Sequence, residues 1–200
     1  MIQLTDMTGL ASSTVAIVAV IAMLPGVARL QKFRFALLAC TIAIVALIPL
    51  GGLPLAAYVR GVTGDLSITS LLLLLSIILS RLTGGQPFDA QSRFVLFFLV
   101  ALTAIGLYPL ALGVGYFDPY RLGYGNFWFM GVLLLLALAA CFRQLPMIAL
   151  AIALAVFAWS IGWYESTNLW DYLLDPLLAI YAISALLKCG MQKGNGKAEA

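Results

Sequence analysis

LSITSLLLLLSIILSRL, residues 66–82, carries a single charge, at Arg81. Its five consecutive leucines, Leu71 to Leu75, have no alternation between two faces, so they suit neither a half-wet strand nor a strand of a membrane barrel. The run approaches the roughly 20 apolar residues a helix needs to cross a bilayer core. Leu133 to Leu136 repeat the pattern downstream. Outward from this stretch, apolar runs fall at roughly 10–28, 34–58, 66–82, 94–112, 127–142, 146–164 and 169–187. The third, fifth and seventh are short, so their helices should stand near the membrane normal or be extended by interfacial residues. The second holds Pro49, Gly51, Gly52 and Pro54, which predicts a break or kink.

Composition agrees. Hydrophobic residues make up 64% of the chain and charged residues 10%, against about 25% charged in a soluble domain. That leaves too little polar surface to cover a water-soluble globule. The expectation is an all-α integral membrane protein: a polytopic bundle of about seven transmembrane helices forming one domain over 1–187, then a disordered basic tail over 188–200 with some attraction to anionic headgroups.

Orientation follows from charge. With the N-terminus outside, the cytoplasmic segments receive Arg29, Lys32, Arg34, Arg81, Arg93, Arg143, Lys188, Lys193 and Lys197, and the outer ones only Arg60 and Arg121. This is the positive-inside bias, and it places the C-terminus in the cytoplasm. The acids sort the other way: Asp6, Asp65, Asp118, Glu165, Asp171 and Asp175 outside, Asp89 and Glu199 inside. Met1 to Leu10 contain Asp6 and no basic residue, unlike a secretory signal, so the first run reads as a retained span. Short loops and small size suggest a prokaryotic inner (plasma) membrane.

The chain has no histidine, which removes His-ligated haem, His-ligated zinc and any histidine base. Cys40, Cys141 and Cys189 show no metal spacing; all fall in the cytoplasmic half, where thiols stay reduced. No metal or cofactor is expected. The net charge of +3 is weak and does not suggest nucleic acid. There is no P-loop, dinucleotide fingerprint, nucleophile elbow or Ser-x-x-Lys motif. A retinal Schiff base would need a lysine mid-way along the last span, but Lys188 lies at its end.

A hint of internal repetition exists. Arg34-Phe35 and Arg93-Phe94 each open a span, and each is followed by a proline–leucine pair, Pro49-Leu50 and Pro109-Leu110. In the sixth span, Ala149, Ala151, Ala153, Ala155 and Ala158 offer small surfaces for close packing, which suggests a central helix with the alanine-bearing fifth span beside it.

Candidate chemistry collects at the outer face. The loop from Gly115 to Trp128 mixes aromatics with Asp118, Arg121 and Tyr124. It reads as a cap over a cleft, with Arg121 a clamp for phosphate or carboxylate, or as an interfacial aromatic belt in which Asp118 pairs with Arg121. The loop from Trp163 to Pro176 contributes Glu165, Asn168, Trp170, Asp171 and Asp175. If the last helix starts at Leu169, Asp171 and Asp175 share a face, and a carboxylate about 9 Å into a span needs a partner or a wet cavity. Two such carboxylates could bind a cation or share a proton. Alternatively, Asp175 caps a helix starting at Pro176, and the residues before it enter as a kinked or re-entrant piece. Asp65 is expected to cap the third span, with Arg60 free to pair with an outer acid.

Three function classes follow. The first is a non-catalytic accessory subunit of a membrane complex, contacting lipids and a membrane-protein partner or a second copy. The others are a small cation- or proton-coupled transporter, and an enzyme acting on a lipid-linked substrate at the outer leaflet.

Overall fold

A computed structural model describes residues 4–198. The protein is all-α, about 76% helical, with ten α-helices among the described residues. In chain order they are α1 (Leu4–Ala22), α2 (Pro25–Ala28), α3 (Lys32–Leu47), α4 (Leu55–Thr63), α5 (Ile68–Thr83), α6 (Ala90–Ala111), α7 (Phe127–Phe142), α8 (Pro146–Ser160), α9 (Trp170–Leu173) and α10 (Pro176–Ala198). Two helices are long and apolar enough to cross a membrane, Thr5–Ala22 and Ala90–Ala111. The apolar helices 68–83, 127–142 and 146–160 have 16, 16 and 15 residues. At 1.5 Å per residue they are about 22–24 Å long, short of the ~30 Å hydrocarbon core. Length and apolarity together support two spans among the described residues, and the other five expected spans do not meet both conditions.

Each departure from the expected spans has a local cause. α1 runs 4–22 rather than 10–28, because Pro25 cannot continue a helix and disfavours it in the preceding residue. The run 34–58 is broken: α3 stops at Leu47, and a two-residue turn at Gly51-Gly52 closes a small hairpin pairing Pro49 with Pro54 and Leu50 with Leu53. Both glycines have positive φ, 70° and 104°, as the tight turns that match hairpin twist require. α6 begins at Ala90 because Asp89 caps it, accepting from the Ser92 N–H at 3.0 Å. α6 also continues through Pro109 to Ala111, whereas α3 ends before Pro49, so the two proline–leucine pairs occupy different structures. The expected 169–187 span is split at Leu174, which is extended (φ −145°, ψ 137°). α10 extends beyond Leu187 through Ala198, across the stretch read as a disordered tail, with no proline to stop it. Glu199 lies outside the described residues.

α8 is the central helix, packing on α5, α6, α7 and α9. Of its alanines, Ala151, Ala155 and Ala158 are buried and form one close-packed face, while Ala153 is exposed. α1 packs on α3, α4 and α5, and α10 packs on α6. The helices alternate up and down. One end of the bundle collects Asp6, Asp65, Asp118, Glu165, Asp171 and Asp175, and the other Arg29, Lys32, Arg34, Arg81, Arg93 and Arg143. Arg81 at the basic end donates to the Val27 carbonyl (2.7 Å) and lies 5.6 Å from the Phe35 ring centroid. Lys32 donates to the Thr83 carbonyl.

The turn between α7 and α8 holds Gln144 at φ 56°. Leu145 N–H bonds the Ala140 carbonyl (2.8 Å) and Gln144 N–H that of Cys141 (3.1 Å), the helix-ending pattern that normally places glycine at the left-handed position. The same pattern ends α8 with Gly162 at φ 64°. Gln144→Gly should therefore raise stability, by about 1 kcal/mol. Thermal unfolding in mild detergent should show a higher midpoint, and an unchanged or lower one would mean that Gln144 makes a compensating contact.

Candidate functional site

The acid-rich end is built from two long connections clasped together. After α6, the chain turns through a short 3-10 segment, Pro119–Gly123, capped by Asp118, whose carboxylate accepts from the Tyr120 N–H at 2.9 Å. The connection after α8 docks on that segment. Asn168, 1% exposed, donates from Nδ2 to the Tyr120 carbonyl (3.0 Å) and accepts from the Trp170 N–H (3.0 Å). Leu169 N–H bonds the Gly123 carbonyl at 2.9 Å, and Trp170 Nε1–H the Pro119 carbonyl at 3.0 Å. Gly123 is required by this contact: a Cβ there would lie 1.7 Å from Asn168 Oδ1. The Trp170 ring stacks on Phe129 of α7, centroids 4.5 Å apart.

Three carboxylates face one cavity of about 290 Å³, lined by Asp65, Asp171, Asp175, Tyr108, Tyr120 and Trp170 among others. Each is engaged. The Tyr120 hydroxyl donates to Asp171 (2.8 and 2.9 Å), as does the Ser166 hydroxyl (2.5 Å). Asp65 meets Arg60 in a two-pronged ion pair, Nε–Oδ1 2.6 Å and Nη2–Oδ2 3.0 Å. Arg60 also approaches Asp6 of α1 at 3.5 Å and Glu165 at 3.7 Å. The hydrogen bond to Asp65, then its charge and those of Glu165 and Asp6, hold the Arg60 guanidinium even more firmly protonated than usual, against a partial opposing effect of burial. Burial, reinforced by the Asp171 hydrogen bond, pushes the Tyr120 phenol up, so it remains a donor across the neutral range.

Asp175 is 6% exposed. Its Oδ1 caps α10, accepting from the Leu178 N–H at 2.8 Å. Its Oδ2 accepts from the Ser67 N–H (3.0 Å), the Ser67 hydroxyl (2.7 Å) and the Ser70 hydroxyl (2.5 Å). Ser67 is itself the cap of α5, receiving the Ser70 N–H at 3.1 Å. The amino ends of two helices thus converge on one carboxylate, where the positive ends of both dipoles favour the charge.

Of the residues expected to form the site, Trp170, Asp171 and Asp175 line the cavity together, with Asn168 bracing it from behind. Asp171 and Asp175 do so across a helix break rather than on one helical face. The expected Asp118–Arg121 pair is not formed among the described residues. Asp118 turns its carboxylate onto its own backbone, and Arg121 is exposed. Tyr124 is exposed, with its ring edge-on to Tyr120 at 6.1 Å, and Glu165 reaches only the margin of the Arg60 cluster. Asp65 is not the cap of α5; Ser67 is. Asp65, Tyr108, Tyr120, Ser67 and Ser70 were not singled out as site residues from sequence. Ser67 and Ser70, three apart ahead of the leucine run, form a cap signal that would have shifted the helix start. No group of three or more His, Cys, Asp or Glu among the described residues is arranged to hold a metal. The two serine hydroxyls are buried and donate to a carboxylate that also caps α10. No known family, characterised protein or solved structure matches the chain.

Asp175→Ala would strand four donors and should cost about 3 kcal/mol or more, while Asp175→Asn, which keeps an acceptor oxygen, should cost less. Chemical or thermal unfolding of both variants checks the ranking; equal stability would mean that the carboxylate holds nothing together. Gly123→Ala should destabilise by roughly 1–3 kcal/mol through overpacking. It should also expose the 163–175 connection to limited proteolysis, and an uncut connection would show that the clasp tolerates a side chain.

Proposed function

We propose that the chain is a multi-pass membrane protein of about seven spans, N-terminus outside, acting as a non-catalytic accessory subunit that binds a partner through its apolar helix faces. One observation carries the non-catalytic reading: every carboxylate facing the outer cavity is committed to an internal partner that holds the fold. Support for membrane embedding comes from the helix surfaces. Ile44, Ile105, Leu135 and Ile180, on four different helices, are 63–67% exposed, and soluble monomers rarely present such faces on several sides. The concentration of basic residues at one end supports the orientation. The 15- and 16-residue helices reach across if flanking interfacial residues extend them or the bilayer thins locally.

A cation- or proton-coupled transporter is the second reading, favoured by the cavity that brings Asp65, Asp171 and Asp175 together. An enzyme for lipid-linked substrates has less support, since Arg121, its phosphate clamp, stands apart from these acids.

Two experiments test the proposal. In a cysteine-free background, Tyr116→Cys should react with an impermeant maleimide in intact cells, and Pro87→Cys only after permeabilisation; the reverse pattern overturns the orientation. In mild detergent, wild type and Asp175→Asn should both retain a stoichiometric membrane partner. Purification alone, with cation-dependent thermal stability lost in Asp175→Asn, would favour the transporter.

A further inference from the structure

A second cavity, of about 710 Å³, lies between α1 and α5 on one side and α6 and α10 on the other. It runs from Leu177 and Ser70 near the acid-rich end to Met23 and Arg93 at the basic end. Its walls are almost wholly apolar. The serine and threonine hydroxyls they contain are spent internally: Thr63 on the Val59 carbonyl (3.1 Å), Ser70 on Asp175 (2.5 Å) and Ser76 on the Leu73 carbonyl (2.7 Å). The groove opens sideways, since Val20, Phe94 and Tyr181 on its walls are 58%, 46% and 54% exposed.

Arg93 is the single charged residue lining it. The guanidinium donates to the Gln86 side chain at 3.2 Å and makes no ion pair among the described residues. The nearest acid in sequence, Asp89, spends its carboxylate on the Ser92 N–H. A long wall that is apolar apart from the Tyr181 phenol at its exposed rim, ending in one available cation, complements a ligand with a long hydrocarbon body and one anionic end. A partner helix would satisfy the wall but would have to bring a buried acid to Arg93. In a membrane, lipid is also the occupant present at highest concentration. We propose that this groove binds an anionic glycerophospholipid of the cytoplasmic leaflet, its acyl chains between α1 and α10 and its phosphodiester on Arg93. This rests on the membrane reading above.

The test begins with membrane fractionation. Recovery in the soluble fraction would sink the membrane reading and the lipid site together. With membrane-extracted protein, binding is then measured in detergent by native mass spectrometry, using phosphatidylglycerol and phosphatidylcholine of the same chains as probes. Inorganic phosphate and oleate serve as headgroup-only and chain-only controls. Wild type should prefer phosphatidylglycerol, and Arg93→Gln should reduce that preference about fivefold, the worth of one basic residue at an anionic surface, while keeping phosphatidylcholine binding. Val20→Trp, which fills the groove from an exposed position, should weaken both lipids. Equal binding of the two lipids by wild type, an unchanged preference in Arg93→Gln, or binding of phosphate alone as tight as that of lipid overturns the site while leaving the membrane reading intact. Displacement of bound phosphatidylglycerol by a co-purifying protein would likewise overturn it and make the groove a protein interface.

Discussion

The Asp175 carboxylate is the constraint around which the acid-rich end is organised. A buried charge is tolerated only when hydrogen bonds replace its water, and here they come from two directions. One set closes the first turn of α10. The other is the cap region of α5, more than 100 residues earlier in the chain. To bring the carboxylate there, the chain must leave the helix at Leu174, and the four residues of α9 become a separate short element. The 163–175 connection is thereby pulled inward against Pro119–Gly123, where Asn168 and Trp170 secure it.

Arg60 does the same for the remaining helices at that end. Its position in α4, just before the turn into α5, lets one guanidinium face Asp65, the first turn of α1 and Glu165. The Thr8 hydroxyl bonds the Trp163 carbonyl, and Ser12 meets the Tyr164 hydroxyl at 2.8 Å, so α1 joins the 161–175 connection as well. The acids crowded at this end take part in holding the irregular backbone in place, and Asp65, Asp171 and Asp175 among them also line the cavity.

Packing along the helices obeys a different rule. Where small residues allow backbones close together, as along Ala151, Ala155 and Ala158 of α8, the bundle is tight. Between α1 and α10 the packing does not close, and a mostly apolar groove remains. The same apolar composition thus produces a closed centre and an open flank.

Helix positions were readable in the chain because apolar runs and proline or glycine punctuation are local properties; α7 matches its expected bounds residue for residue. The segregation of charge between the two ends was readable for the same reason, as loop composition is local. That the second run breaks was legible from Pro49, Gly51, Gly52 and Pro54, although not that it folds into a hairpin followed by α4. The candidate site was legible only in part. Asp171, Asp175, Asn168 and Trp170 stood out because polar groups beside a long apolar run demand partners, but the partners themselves did not. Tyr120 lies 51 residues from Asp171 and Ser67 lies 108 from Asp175, and no periodicity within either segment encodes those meetings. For the same reason Asp118 and Arg121, three apart and of opposite charge, looked paired, while in the fold a nearer backbone N–H takes the acid. The sequence by itself determined a chain of apolar helices with most acids in one set of connections and most bases in the alternate set, since both depend on residue type and order alone. Only the tertiary structure decided which acid each donor reaches, that Asp175 joins α5 to α10, and that a groove ending at Arg93 stays open, because these depend on which helices become neighbours in space.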